Sequence, residues 1–207
     1  MPKQSKLFTG FVKLTGFVPT WLLFKPRVIL ADGAKRRLPK ASIMMANHHS
    51  LMDFALYLIV FPFRQIRFLM AEVLFKKGKL FSWFLYKLGG IFVDRDAFDF
   101  SFVGDSLDAL EKGDTVGIFP QGRLPIGKTP FPFKPSVTYI ALRTDNPFIP
   151  IYSDGVCHPL RRTTVVIGKP IYINEIFDTN NATPEKIKEI TEYLEKECYA
   201  LKEYIKG

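Results

Sequence analysis

Short apolar runs alternate with stretches of helical period between residues 42 and 152, and no other feature of the chain restricts its fold so strongly. Ile43-Met44-Met45-Ala46 has the length of a buried strand, and comparable runs fall near 66–70, 90–93, 115–119 and 148–152. Helices are expected between them, near 51–60, 74–88, 100–111 and 136–143. In one such unit Phe100, Val103, Leu107 and Leu110 recur at three- and four-residue steps, then Gly113-Asp114 stops the helix before Thr115-Val116-Gly117-Ile118-Phe119. Repetition of this order predicts an α/β fold, a mixed and largely parallel sheet flanked by helices. Val165-Val166-Ile167 and Ile171-Tyr172-Ile173 read as further short β runs. Thr183 and Pro184 then cap a last helix whose stripe is Ile187, Ile190, Leu194, Cys198, Leu201 and Ile205.

Charge divides the chain differently. Of the net +9 over 207 residues, the first 40 residues carry nine Lys/Arg against one acid, while the rest is nearly balanced. The same N-terminal stretch holds Leu7, Phe8, Phe11, Val12, Leu14, Phe17, Val18 and Trp21, so its basic residues suit an anionic membrane surface rather than nucleic acid. Lys13, Gly16 and Pro19 interrupt it, which favours a helix or helical hairpin lying in one leaflet over a single span. Residues 1–30 are therefore expected to form a basic amphipathic membrane-associating segment, with 31–207 as the α/β domain and the turn-rich residues 28–40 as the separator. A second amphipathic stretch, Leu74 to Leu88, reads equally as a lipid-touching surface or a thick core helix. Two cysteines, Cys157 and Cys198, and the lack of paired Cys/His spacing predict a reducing compartment, no metal and no cofactor.

Asn47-His48-His49-Ser50-Leu51-Met52-Asp53 sets two of the three histidines beside a carboxylate just after the first body strand. A neutral imidazole oriented by a carboxylate is suited to taking a proton from a hydroxyl near neutral pH. The same residues make a capping box, with Ser50 capping a helix and Asp53 answering it. Spacing leaves both readings open, and leaves open which histidine meets Asp53.

Three further segments accompany it: Gly89-Gly90-Ile91-Phe92-Val93-Asp94-Arg95, Phe119-Pro120-Gln121-Gly122-Arg123, and Phe148-Ile149-Pro150-Ile151. Together and in this order they resemble the four blocks of the glycerolipid acyltransferase family, whose members include 1-acyl-glycerol-3-phosphate acyltransferases. His-x-x-x-x-Asp, here His48 to Asp53, is the most specific of them. The resemblance implies acyl transfer from a thioester of acyl-carrier protein or coenzyme A to the free hydroxyl of a lysophospholipid, chiefly lysophosphatidate, at the cytoplasmic face of the membrane. It implies His48 as general base, Asp53 as its orienting acid, and Arg95, Gln121, Gly122 and Arg123 as substrate-binding residues, Arg95 for phosphate. Direct attack without an acyl-enzyme is expected, with Ser50 as nucleophile the lesser alternative. The third block departs from the usual Phe-Pro-Glu-Gly-Thr-Arg-Ser: Gln121 lacks the carboxylate and Arg123 stands one position early. Lys128 and Lys134 are candidates to add charge for a phosphate. Another lysophospholipid or an amino-acid lipid as acceptor, and a lipid-binding protein without activity, are the alternatives.

Overall fold

The computed structural model describes residues 5–94, 100–127 and 129–206, the side chain of Lys206 excepted. Seven strands form one sheet in the order β1-β7-β6-β2-β5-β3-β4, with ranges β1 Arg27–Leu30, β2 Ser42–Ala46, β3 Ile66–Ala71, β4 Ile91–Val93, β5 Thr115–Ile118, β6 Phe148–Ser153 and β7 Thr164–Ile167. Only β6 and β7 pair antiparallel; the other neighbours are parallel. The sheet is thus mixed and largely parallel, as the alternation predicts.

Continuous apolar runs go to the middle. Every residue of β2, β5 and β6 is buried, whereas β3 alternates buried and half-buried positions. One face is covered by α1 (Lys6–Phe24), α2 (Asp53–Val60), α3 (Glu72–Phe75) and α4 (Lys79–Leu88), which bring Phe24, Leu56, Tyr57 and Leu85 onto Met44, Ala46 and Phe68. The opposite face is covered by α5 (Ser101–Glu111), α6 (Ser136–Ala141) and α7 (Pro184–Ala200), whose Leu110, Ile140 and Leu194 meet Ile43, Met45 and Val116. A last turn, α8 (Glu203–Lys206), follows α7, and Leu201 between them packs on Tyr152 and Val166.

Three expectations need correction and a fourth is narrowed. Residues 28–40 are not wholly a separator: Arg27–Leu30 is a parallel strand on β7, and three apolar residues at the head of a polar stretch became a strand because that sheet edge was there to pair with. The helix expected over 74–88 is two helices, broken at Gly78, whose φ of +140° is open only to glycine. Ile171-Tyr172-Ile173 contributes an isolated bridge between Ile171 and Phe148, then a 3-10 turn at Ile173–Glu175, rather than a strand. Of the helix or helical hairpin expected at the N-terminus, the structure has the helix: Lys6–Phe24 runs as one 19-residue α-helix through Pro19.

α1 lies along the domain rather than away from it. Ser5 caps it by accepting from Phe8 N–H, Thr9 and Phe24 are buried, and Phe8 meets Trp83 and Phe84 of α4 edge to face. Lys13 donates to the carbonyls of Pro62 and Arg64 beyond α2. Leu7, Phe11, Leu14 and Trp21 of α1, with Leu80 and Trp83 of α4, remain exposed on the outside.

Candidate active site

Parallel pairing brings the sequence blocks to one edge. Met45 of β2 pairs with Ile118 of β5, so the turn beginning at Asn47 and the turn beginning at Phe119 leave the sheet side by side. Ala46 pairs with Ile151, which places the end of β6 on the other flank of β2, and β4 ends at the same edge through Val93 opposite Ala71. Ligand sites of open parallel sheets form at this carboxyl edge, where the loops converge.

Asp53 organises the first turn. Its Oδ2 accepts from His48 Nδ1 at 2.8 Å, from the His49 backbone N–H at 2.6 Å and from the Ser50 backbone N–H at 2.9 Å. Ser50 Oγ accepts from Met52 N–H at 3.1 Å, but α2 begins at Asp53 with Met52 at its cap and no side chain capping it, so the expected capping box is only half formed: Asp53 answers the Ser50 N–H and meets the imidazole, while Ser50 does not cap the helix. It is His48 that receives Asp53. His49 turns the other way, its Nε2 2.7 Å from Asn47 Nδ2 and its ring packed against Gly155. Asn47 also ties β2 to β6, accepting from Ser153 N–H and donating to Ser153 C=O, both at 2.8 Å.

A carboxylate on Nδ1 places the imidazole proton there, and Nε2 keeps its lone pair. One ring face of His48 lies on Phe119, centroids 4.3 Å apart and planes 15° apart, and Phe119 in turn lies parallel to Phe68 at 5.7 Å. Phe68 reaches that position only because residue 117 is glycine: a Cβ there would stand 2.5 Å from the Phe68 ring. A glycine inside a strand, as Gly117 is, marks such a close approach, whereas nothing in the sequence pairs Phe119 with an imidazole.

His48 lines a cavity of about 710 Å³ whose wall is mostly apolar, including Leu51, Phe54, Met70, Leu74, Phe84 and Phe102. Lys77, Arg123 and Lys134 line it too, with Gly122 and Asp94. Lys77 was not singled out from the sequence, since it sat among several lysines of an amphipathic stretch. Arg123 also stacks on Phe131, 4.8 Å from its centroid. Gly122 holds a φ of +67° with the Lys134 side chain packed over it, and its own N–H closes a turn onto Phe119 C=O at 2.9 Å. That amide is therefore committed to the turn, and any amide support for an oxyanion falls to its neighbours.

Gln121 does not join His48. Its side chain is 2% exposed and crosses to the other side of the turn, where Nε2 donates to Tyr199 Oη at 3.0 Å. Burial pushes the Tyr199 hydroxyl up to about 12. Arg95 and Lys128 lie outside the described residues.

A largely parallel α/β sheet with a carboxylate-held histidine over an apolar cavity defines a class that the sequence comparison makes specific. The chain belongs to the acyltransferase family, whose model matches residues 31–154 and so contains all four blocks. The solved 1-acyl-sn-glycerophosphate (LPA) acyltransferase, PlsC, from Thermotoga maritima is similar in fold, with a TM-score of 0.64 and 22% identity, covering 96% of this chain and 78% of that one. Among curated proteins no significant match is found.

Proposed function

We propose that the protein transfers a fatty acyl group from an acyl thioester to the free hydroxyl of lysophosphatidate, giving phosphatidate. The observation that carries this is the His48–Asp53 pair, joined at 2.8 Å, on the wall of an apolar cavity that is also lined by three cations. The cavity takes the acyl chain. Arg123, Lys134 and Lys77 suit the acceptor phosphate, with Arg95 assigned there by its block, because guanidinium and ammonium groups pair with phosphate oxygens.

In this reading His48 Nε2 takes the acceptor's hydroxyl proton as the oxygen attacks the thioester carbonyl. The new ester bond forms, the carbon–sulfur bond breaks, and the leaving thiolate takes the proton back from the imidazolium. Asp53 remains ionised and steadies that imidazolium. Ser50 makes a poor nucleophile, since its oxygen already accepts from Met52 N–H.

Residues 1–30 act as the membrane-associating segment and 31–207 as the catalytic domain, with Arg27–Leu30 shared between them as a strand. α1 is long and apolar enough to cross a membrane. Its docking on α2 and α4 through Phe8, Phe24 and Lys13 supports a helix lying in the cytoplasmic leaflet instead. The exposed apolar residues of α1 and α4 then face lipid and bring the cavity to where lysophospholipid resides.

The test is an acceptor panel with one thioester donor, run beside His48→Ala. Lysophosphatidate is expected to turn over, and His48→Ala to lower kcat by at least about 10²-fold while folding normally. Turnover of a different lysophospholipid or amino-acid lipid alone would displace the acceptor assignment, and full activity in a folded His48→Ala chain would remove the base.

A further inference from the structure

The connection between β6 and β7, residues 154–163, is longer than an antiparallel turn needs and is fastened at its root. Asp154 accepts from Val156 N–H and from Thr164 N–H, both at 3.0 Å, and Thr163 Oγ1 donates to the Val156 carbonyl. Gly155, at a φ of +72°, lies so close to the His49 ring that a Cβ there would stand 2.5 Å from it. From this root the chain runs out to a tight turn, closed by Arg161 N–H donating to His158 C=O at 3.1 Å, whose two corner residues are Pro159 and Leu160. The leucine is thereby presented rather than packed, and it is 85% exposed.

A single exposed leucine is ordinary on any surface. This one has unusual neighbours. Arg161 and Arg162 follow it directly, and the returning limb is bonded to the end of α1: Arg162 Nε donates to the Lys25 carbonyl at 3.3 Å, Thr163 N–H to the Phe24 carbonyl at 2.8 Å, and Arg27 N–H to the Thr163 carbonyl at 2.8 Å. Lys25, Arg27, Arg161 and Arg162 thus lie on adjoining segments, and none of the four is in an ion pair among the described residues. The helix end that they join carries the exposed Trp21 and Leu22. An apolar tip with cations behind it and an apolar helix end beside it has the makings of an interfacial anchor, in which the tip enters the acyl region and guanidinium groups stay with the phosphates.

Resting on the reading of α1 as a membrane helix, we infer that the β6–β7 loop is a second membrane contact: Leu160 enters the bilayer, and Arg161 and Arg162, with Lys25 and Arg27, hold phosphates of anionic phospholipids. An acidic protein is the poorer occupant, because it would meet the cations and leave the leucine and the continuing apolar face of α1 uncovered. The contact bears on the site. The loop root is packed on His49, the residue after the base, and Leu51 and Met52, exposed residues that line the His48 cavity, follow two and three positions later. A bilayer held by the loop tip and by α1 is held against the edge that carries the cavity, so a lipid acceptor reaches His48 without first crossing water.

The test uses the full chain with vesicles of phosphatidylcholine, with and without phosphatidylglycerol. In a Cys157→Ser background, where the remaining Cys198 is buried, Leu160→Cys is labelled with an environment-sensitive fluorophore. Its emission is expected to shift to the blue on the anionic vesicles and to be quenched by lipids brominated in the acyl chain. Arg161→Gln and Arg162→Gln are each expected to weaken vesicle binding about five-fold, the size of one basic side chain at an anionic surface, and by less at high salt. Leu160→Ser should weaken it about ten-fold with the far-ultraviolet spectrum and melting temperature unchanged. A label that stays in water on bound vesicles, or loop variants that float as the parent does, overturns the assignment. So does a label that responds to soluble polyglutamate and not to vesicles, which points to an acidic protein. None of these readings needs turnover, so an inactive chain whose loop enters the bilayer would sink acyl transfer alone, and an active chain whose label stays in water would sink the loop alone. Flotation that falls with Leu160→Ser but not with Leu14→Glu and Trp21→Glu would sink the membrane role of α1 and leave the loop as the anchor.

Discussion

Asp53 does more at the residue scale than orient a ring. Its single oxygen gathers the His48 N–H and two backbone N–H groups, so the carboxylate both shapes the turn and fixes the imidazole. Removing it and relabelling it should therefore separate. Asp53→Asn can set its amide oxygen where Oδ2 stands, which keeps an acceptor for the turn and for the ring but removes the negative charge beside it, and kcat is expected to fall about 10²-fold with the melting temperature nearly kept. Asp53→Ala also orphans the two backbone donors and should cost about 2 kcal/mol in addition, read from the urea midpoint. An equal stability loss in both variants would show that the turn does not depend on the carboxylate's geometry. His49, four residues from Asp53 and equal to His48 on spacing alone, is held instead by Asn47. Nothing in the local pattern distinguished the two rings; the distinction comes from which way the chain turns after β2.

At the element scale the informative unit is β5 with the turn that follows it. Gly117 admits Phe68, Phe68 stacks on Phe119, and Phe119 stacks on His48, so a strand glycine two steps removed sets the plane of the His48 ring. Phe119→Leu should lower kcat about ten-fold with a smaller change in KM, the aromatic contact being of order 1 kcal/mol, and Phe119→Tyr should recover most of the rate. Gly117→Ala drives a methyl into the Phe68 ring and should destabilise the chain by about 1–3 kcal/mol, measured by thermal melts. α1 supplies a pH test. Burial pushes the Lys13 amine down to about 8 from 10.5, and a neutral amine still has two hydrogens for the Pro62 and Arg64 carbonyls. The folded pKa is the lower one, so between pH 8 and 10.5 the unfolded chain binds the extra proton and stability rises with pH across that window. Lys13→Met should remove this increment, visible as a flatter difference in melting temperature between pH 8 and 10.5.

For the whole molecule, one helical layer serves two surfaces. α1 and α4 cover the sheet with Phe24, Leu85 and Leu88 and leave Leu7, Leu14, Trp21 and Leu80 outside, an amount of exposed apolar surface that a domain confined to water rarely keeps. Leu14→Glu with Trp21→Glu changes that outer face without entering the core. Flotation with anionic vesicles is expected to drop about ten-fold for the double variant, with an unchanged far-ultraviolet spectrum, and unchanged flotation would take the membrane role away from α1. Basic residues concentrated in the first 40 positions should make binding by the parent chain weaken as salt rises.

The alternation of apolar runs and helical stripes was sufficient for the fold class and for β2 to β6, because each of those elements announces itself by a period or a buried run within its own residues. The His48–Asp53 pairing was legible for a related reason, since the resemblance rests on residue type at fixed spacing, whereas Gln121 of the third block turned away from that pair. What local pattern did not contain is anything that depends on a partner distant along the chain. Arg27–Leu30 is a strand because β7 lies beside it, His49 turns from Asp53 toward Ser153 and Gly155 at the end of β6, and Gln121 faces Tyr199 because α7 packs behind that turn. Each of these is decided by long-range packing, in which the energy of a pairing or a buried hydrogen bond is realised only when the whole sheet has closed around it.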